Sequence, residues 1–222
     1  MGIILFGENG RVVDQQMRQV TLRLTKDTYE NAMQSGLVYT LDTPIKQTGA
    51  FQNRIALRDQ NSTHIGSAGQ FVDVPNLTNG KMALCGVVVL KDIPDKPEAL
   101  GAAPQNGREA ITAGPAVRQF HSGDKLIFAY SIYNAALNEA THLPQISTLA
   151  RIFRDGKLVF TGPLSQIDAA QSDPKRVPSV GRLQLGPEFE PGQYVLQVVV
   201  TDQLTKEKQQ VTAQWIDFEI VK

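Results

Sequence analysis

The feature that most constrains the fold is an internal repeat. Residues 49–59 (GAFQNRIALRD) align without a gap with residues 192–202 (GQYVLQVVVTD), and apolar side chains alternate in both. This spacing in a β-branched, aromatic-rich run predicts a strand with one buried face. The aspartate that ends each segment suits a chain reversal in which its carboxylate accepts hydrogen bonds from nearby amides. The side chains predicted to point inward are Phe51, Ile55 and Leu57 in the front copy and Tyr194, Val198 and Val200 in the back copy.

Further matches flank the repeat in the same order. Residues 70–74 match residues 214–218, and the Asn9-Gly10 turn matches the Asp155-Gly156 turn. Residues 20–24 match residues 181–185. Asn-Gly and Asp-Gly between apolar runs favour β-hairpins, because both turn residues must tolerate positive φ. The matches therefore predict one hairpin-rich sheet, built twice.

We predict an all-β chain of two tandem immunoglobulin-like or fibronectin-like β-sandwich modules with one short helix. The predicted division is 1–78 for the first module, 79–116 for a strand plus a Pro/Gly-rich linker, and 117–222 for the second module. The second copy has further strand-like segments before its Asp-Gly turn, at 116–120, 125–133 and from 146. We therefore expect the first module to lack its opening strands, and the natural chain to continue upstream. Alternatively, the strand at 82–90 completes the first sheet.

Two connections are predicted besides the strands. Thr25 or Asp27 can cap a helix in which Tyr29, Ala32 and Met33 share one face and Gly36 follows the end; it would lie on the first sandwich. Residues 92–115 and 168–180 are rich in loop-forming residues and are predicted to be long loops.

Composition excludes several classes of function. The chain has 22 Lys plus Arg and 22 Asp plus Glu, without the basic excess of a nucleic-acid-binding protein. No run approaches the roughly 18 apolar residues of a membrane span. The single cysteine, Cys85, excludes an intrachain disulfide and a Cys-rich zinc site. Residues 1–6 (MGIILF) lack the charged region of a signal peptide and resemble a vector-derived start.

The sequence offers no motif for catalysis, a cofactor or a metal. His64, His121 and His142 are scattered over different predicted loops and strand ends, so we expect them to be solvated. Cys85 lies in an apolar strand without an identifiable base nearby, so we expect it to be inert. No Gly-x-Ser-x-Gly elbow, phosphate-binding loop or EF-hand loop occurs. A pair of carboxylates could still meet in space.

Trp215 is the residue that stands out. Ile216, Phe218 and Ile220 are predicted to face the core, which puts Trp215 on the other face with Asp217 and Glu219. Phe71 stands in the same place in the first copy. An aromatic on a polar face can be a platform for a sugar or a protein partner. We favour the interpretation that a loop, the helix or the neighbouring module covers it, because large aromatics are usually mostly buried.

The segments 66–77, 153–157, 194–202 and 214–218 together resemble the C-terminal region of von Willebrand factor A-related proteins of acidobacteria. The resemblance covers nearly all of the chain, in the same order. It implies an exported protein, extracellular or periplasmic, with an upstream metal-binding A-type domain. The Asp-x-Ser-x-Ser metal motif of that domain is absent here, so no metal residue is carried over.

These observations lead to three hypotheses for function. The first is a non-catalytic protein-interaction or spacer module that positions the upstream A-type domain, with an open edge of the first sheet that could pair with another chain. The second is a carbohydrate-binding module, which needs exposed aromatics on one face. The third is a hydrolase without a recognisable motif. The oligomeric state is left open.

Overall fold

The fold is that of a computed structural model in which residues 1–35, 39, 41–92, 118–169, 173–205 and 210–222 are described. The chain divides into two compact units, Met1–Asn76 (the first unit) and Leu77–Lys222 (the second unit). Both are built from sheets in which all described strand pairs but one, Val211–Val221 with Gln119–His121, are antiparallel, and one α-helix occurs in the described part, which confirms the all-β prediction. Within those ranges, no helix is long and apolar enough to cross a bilayer.

The first unit is a single four-stranded sheet with one helix. Its elements are β1 (Gly2–Gly7), β2 (Val12–Met17), α1 (Lys26–Ser35), β3 (Gly49–Arg58) and β4 (Ile65–Val74). All neighbouring strands are antiparallel, in the order β2-β1-β3-β4. The Asn9-Gly10 turn joins β1 to β2 as predicted, with Gly10 at a φ of 70°. The described residues of this unit contain no second sheet.

The core of the first unit is small. Ile3, Leu5 and Phe51 are buried on one face of the sheet. Leu57, which the alternation also placed inward, is 54% exposed, so that prediction is wrong. Leu57 does share the face of Phe51, but the face is not covered at that end of β3.

Helix α1 begins where the sequence predicted. The Thr28 amide donates to Thr25 Oγ1 at 3.4 Å, so Thr25 is the N-cap. Tyr29 and Met33 are both exposed, however, so the expectation that their face packs on the first sheet is wrong. Gly36, the predicted terminator, lies outside the described residues.

The second unit is a β-sandwich. Its strands are β5 (Ala83–Leu84), β6 (Val88–Lys91), β7 (Gln119–His121), β8 (Lys125–Tyr133), β9 (Ile146–Arg154), β10 (Lys157–Thr161), β11 (Ser165–Gln166), β12 (Arg176–Gln184), β13 (Gly192–Asp202) and β14 (Val211–Val221), after a 3-10 turn at Leu77–Asn79. The larger sheet has the order β10-β9-β13-β14-β7, with β11 beside β9. The smaller sheet has the order β12-β8-β5, with β6 also on β8. Side chains from both sheets form one continuous core.

Alternation along β13 supplies the centre of this core. Tyr194, Leu196, Val198 and Val200 are at most 2% exposed. The Tyr194 ring stacks on Phe218 with 5.6 Å between centroids. Its hydroxyl donates to the Glu190 carbonyl at 2.8 Å, an arrangement that resembles the tyrosine corner of immunoglobulin-like sandwiches.

The repeat is visible in the topology. The order β2-β1-β3-β4 of the first unit recurs as β10-β9-β13-β14 in the second, with every pair antiparallel. Even a bulge recurs, because Val13 and Val159 are the extra residues in their hairpins. The last hairpin differs in register. Gly49 pairs with Val74, whereas Gly192 pairs with Ile220, two residues beyond the Phe218 that the sequence alignment matches to Val74.

Three predictions about strands and loops are wrong. Residues 20–24 have no regular secondary structure. The strand predicted at 82–90 does not complete the first sheet, since β5 and β6 pair with β8 in the second unit. Residues 176–180 lie in β12 and not in a loop. Nearly all of the predicted excursion at 92–115 lies outside the described residues.

Both copies end their long strand in the same turn, as predicted. The Asn61 amide donates to Asp59 Oδ1 and the Leu204 amide donates to Asp202 Oδ1, each at 3.0 Å. Asp202 is 1% exposed and also accepts hydrogen bonds from the Ala136 amide, at 2.8 Å, and from Thr205 Oγ1, at 2.9 Å. It therefore ties the β8–β9 connection to the β13–β14 connection.

We expect Asp202→Ala to destabilise the second unit by about 2 to 3 kcal/mol, because it leaves buried amide donors without an acceptor. Asp59→Ala removes the same turn at an exposed position and should cost less. Urea unfolding of both variants measures the difference. Equal losses would show that burial of Asp202 contributes nothing.

Gly181 in β12 makes room for an aromatic ring. A Cβ at this position would overlap the Phe128 ring of the neighbouring strand. We therefore expect Gly181→Ala to cost about 1 to 3 kcal/mol through overpacking. Gly86→Ala is the matched control, since a Cβ at Gly86 meets nothing within 4 Å. Thermal unfolding should separate the two variants, and a neutral Gly181→Ala would contradict the packing argument.

Candidate functional site

Trp215 lies on the outer face of the larger sheet in the second unit. Ile216, Phe218 and Ile220 are buried, which confirms the predicted core face of β14. Trp215 itself is 58% exposed, so the loops described in its own unit leave most of it uncovered. A large aromatic displayed on a sheet face is a candidate binding residue.

Trp215 borders an open groove of about 500 Å³. The groove, called the Trp215 groove below, is lined by Phe153, Asp155, Gly156, Gln193, Tyr194, Val195, Gln197, Trp215 and Asp217. Three elements build it: β13 and β14 form most of its floor, and the β9–β10 turn forms one end. Because strands β9, β13 and β14 are hydrogen-bonded neighbours, the outward side chains of Phe153, Val195 and Trp215 are held on one sheet.

Two cross-strand rows make up the surface around the groove. One row runs Leu158, Phe153, Val195, Asp217 across the sheet, and the next runs Thr161, Arg151, Gln197, Trp215. Leu158 and Val195 are exposed, so the first row is an apolar strip that ends in a carboxylate. In the second row Arg151 Nε is buried without a hydrogen-bond partner. The rows place an indole, an amide and a guanidinium side by side on one face.

The two carboxylates at the groove, Asp155 and Asp217, are both exposed and lie beside arginine side chains. Asp217 Oδ1 accepts a hydrogen bond from Arg118 Nη1 at 3.1 Å, and Asp155 lies 4.0 Å from Arg154 Nε. Their side chains are 66% and 89% exposed.

Phe71 is exposed on the outer face of the first sheet, as the alignment with Trp215 suggested. It lies opposite Gln52, and Phe6 follows in the same row. Arg54 stacks over the Phe6 ring at 5.4 Å. The two-residue difference in hairpin register moves Phe71 one cross-strand row away from the position of Trp215. The two aromatics thus share a strand face but not the same neighbours.

The remaining chemically active side chains do not converge. His64, His121 and His142 are all exposed, and the described residues contain no cluster of three or more His, Cys, Asp or Glu that could hold a metal. Cys85 is partly buried between β5 and β6, where Sγ accepts from the Ser131 amide at 2.9 Å and donates to the Gly86 carbonyl at 3.2 Å. The Cys85 thiol thus connects the backbone of Ser131 in β8 with the Gly86 carbonyl, between β5 and β6.

A second open cavity, of about 420 Å³, lies at a loop end of the second unit. Lys81 and Lys175 flank it, and Asn134 forms part of the wall at a φ of 56°. Asn134 Nδ2 donates to the Leu77 carbonyl at 2.8 Å, so this side chain anchors the loop. Nothing in this cavity resembles a catalytic arrangement.

Asp124 is the centre of the best-connected charged cluster. It accepts a hydrogen bond from the His121 amide at 2.8 Å and pairs with Lys91 Nζ at 2.7 Å. Burial raises the pKa of the Asp124 carboxyl, but the His121 amide and Lys91 outweigh burial, so the pKa lies below its usual 3.8. Because β6, β7 and β8 meet at this residue, the cluster is structural.

Neither the family models nor the curated proteins contain a match to this chain.

Sequence reasoning found Trp215 but missed its neighbours. Phe153, Arg151 and Val195 each stand at an outward position of a predicted strand, which period-two alternation can identify. Their approach to Trp215 depends on the strand order β9-β13-β14, which alternation does not specify.

The Asp124 cluster predicts a pH dependence. Because the folded carboxyl has a lowered pKa, the unfolded chain binds more protons between the two pKa values, and stability falls as the pH drops through the folded value. We expect Asp124→Asn to lower stability by about 1 kcal/mol at pH 7. The difference from wild type should narrow below about pH 4. Urea unfolding at pH 7, 5 and 3 tests this, and a difference independent of pH would contradict it.

Proposed function

We propose that this chain is a non-catalytic interaction module of an exported bacterial protein and that its second unit binds a protein partner through the Trp215 groove. The observation that carries the proposal is the exposure of Trp215 beside the apolar strip of Leu158, Phe153 and Val195. Monomeric proteins seldom leave such a combination in water unless a partner uses it.

The composition of the surface favours a protein as the partner. Tryptophan and arginine are the residue types most enriched among interface hot spots, and here Trp215 and Arg151 lie in one row. Around them, aliphatic and aromatic side chains can exclude water. Because Asp217 is paired with Arg118, it adds polarity at the rim without a free charge at the centre.

The resemblance to von Willebrand factor A-related proteins suggests which partner to test first. It implies an A-type domain upstream in an extracellular or periplasmic protein. We propose that the chain positions that domain, as a spacer or by direct contact with the Trp215 groove. We further propose that the first unit connects the A-type domain to the second unit.

A carbohydrate-binding module is the second candidate. An exposed indole flanked by the Gln197 amide and the Asp217 carboxylate could stack on a sugar ring and bond its hydroxyl groups. It ranks second because Phe153 and Val195, next to Trp215, offer a sugar no hydrogen bonds from their side chains.

We expect Trp215→Ala to weaken binding of the A-type domain about 30-fold, which is the loss of a hot spot worth about 2 kcal/mol. The substitution should change thermal stability little, because an exposed side chain contributes little to the core. Biolayer interferometry and thermal unfolding measure the two effects. Val211→Ala, an exposed site on the same strand, is the matched control and should bind like wild type.

Two outcomes would count against a protein-binding groove. One is a strong loss of stability without a specific loss of binding. The other is binding of a glycan on an array that Trp215→Ala abolishes while binding of the A-type domain is unchanged; that result would promote the carbohydrate-binding alternative.

A further inference from the structure

The first unit reproduces only part of the second. The sheet β2-β1-β3-β4 corresponds to β10-β9-β13-β14, strand for strand. The smaller sheet of the second unit, β12-β8-β5, has no counterpart among the described residues of the first unit. Strand β8 of the second unit therefore indicates which kind of strand could pair with the described part of the first unit.

The first consequence concerns residues 20–24. The sequence matches them to residues 181–185, most of which lie in β12 and pair with β8. In the first unit no described strand is available for this pairing, and residues 20–24 are irregular. Val20, Leu22 and Leu24, at alternate positions, are all exposed. The segment has the pattern of a strand but no strand to pair with.

The second consequence concerns the sheet face. Leu5 and Phe51 are the counterparts of Ile152 and Tyr194, and all four are buried. Further along β3, Leu57 is exposed whereas its counterpart Val200 is 0% exposed. The apolar face of β3 therefore extends beyond the part that the first unit covers.

We infer that the first unit binds an extended polypeptide strand with a large apolar side chain at every second position. Such a strand would pair antiparallel with residues 20–24 and lay its apolar side chains on Ile55 and Leu57. Strand β8 shows the chemistry required, with Leu126, Phe128, Tyr130 and Ile132 all facing the core. The inference goes beyond the proposed function, which concerns the other unit.

A polypeptide strand fits this surface better than other ligands. Residues 20–24 offer backbone donors and acceptors that no regular structure uses, and β-strand addition satisfies such groups in pairs. A helix presents apolar side chains with a period of 3.6, which does not match Val20, Leu22 and Leu24. A sugar would leave the exposed leucines in water.

The test supplies a strand of known sequence in the right place. A variant of the full chain is made with a second copy of residues 118–145 placed directly before Gly2. In the second unit this segment precedes β9, and in the variant the copy precedes β1, the strand equivalent to β9. Hydrogen exchange is followed by mass spectrometry. We expect the amides of residues 20–24 and 55–57 to exchange at least about tenfold more slowly than in the chain without the addition.

Three variants decide between specific and non-specific protection. Leu57→Lys lies on the proposed contact face and should abolish the slowing, whereas Ile65→Lys, also at an exposed position but on the opposite face, should preserve it. Serine in place of the copies of Leu126, Phe128, Tyr130 and Ile132 in the added segment should also abolish the slowing of exchange. The inference is overturned if no slowing occurs, if both lysine variants behave alike, or if the serine version protects as well.

Discussion

The stability of the second unit depends on the burial of one face of β13 between two sheets. Its alternate side chains, from Tyr194 to Val200, are almost completely removed from water because the smaller sheet lies over them. Each buried aliphatic or aromatic side chain contributes about 1.5 to 3 kcal/mol. The equivalent strand of the first unit has the same alternation, yet only Phe51 reaches similar burial. Alternation gives a strand one apolar face, and that face becomes part of a core only where a second sheet covers it.

Polar groups fix how the two sheets of the second unit meet. Tyr130 Oη, in the smaller sheet, lies 2.7 Å from Thr148 Oγ1 in the larger sheet. Ser179 Oγ of β12 donates a hydrogen bond to Tyr130 Oη at 3.1 Å. Because a buried hydroxyl without a partner is costly, this bridge opposes sliding of one sheet over the other. The Phe128 ring over Gly181 adds a steric restraint in the same region. The outer face that carries Trp215 is therefore displayed on a backbone that cannot easily shift.

How much of this fold the sequence predicts depends on the range of the interaction. Local chemistry predicts well: the Asn9-Gly10 and Asp155-Gly156 turns, the Thr25 cap and the aspartate turns after both long strands all occur. The inward alternation of β13 and β14 is also confirmed. These features depend on φ preferences and on the two-residue period of a strand, which neighbouring residues determine.

The failures all involve a partner distant in sequence. Residues 20–24 have strand character but no described neighbour to pair with, and residues 82–90 pair with β8 instead of the first sheet. Leu57 is exposed because no element among the described residues covers its end of the sheet. Trp215 is a different case: large aromatics are usually mostly buried, yet its position between Gln214 and the buried Ile216 puts it on the outer face of the sheet.

The two candidate surfaces differ in what they can recognise. The Trp215 groove has all its strands paired, so it can select a partner only through side chains, and discrimination there depends on the shape and charge of a few residues. The surface at residues 20–24 offers mainly backbone groups and aliphatic side chains, which accept any sequence with the right alternation. Specific recognition is therefore a property to seek in the second unit. The first unit is suited to pairing with an added strand, because no second sheet among its described residues covers its apolar face.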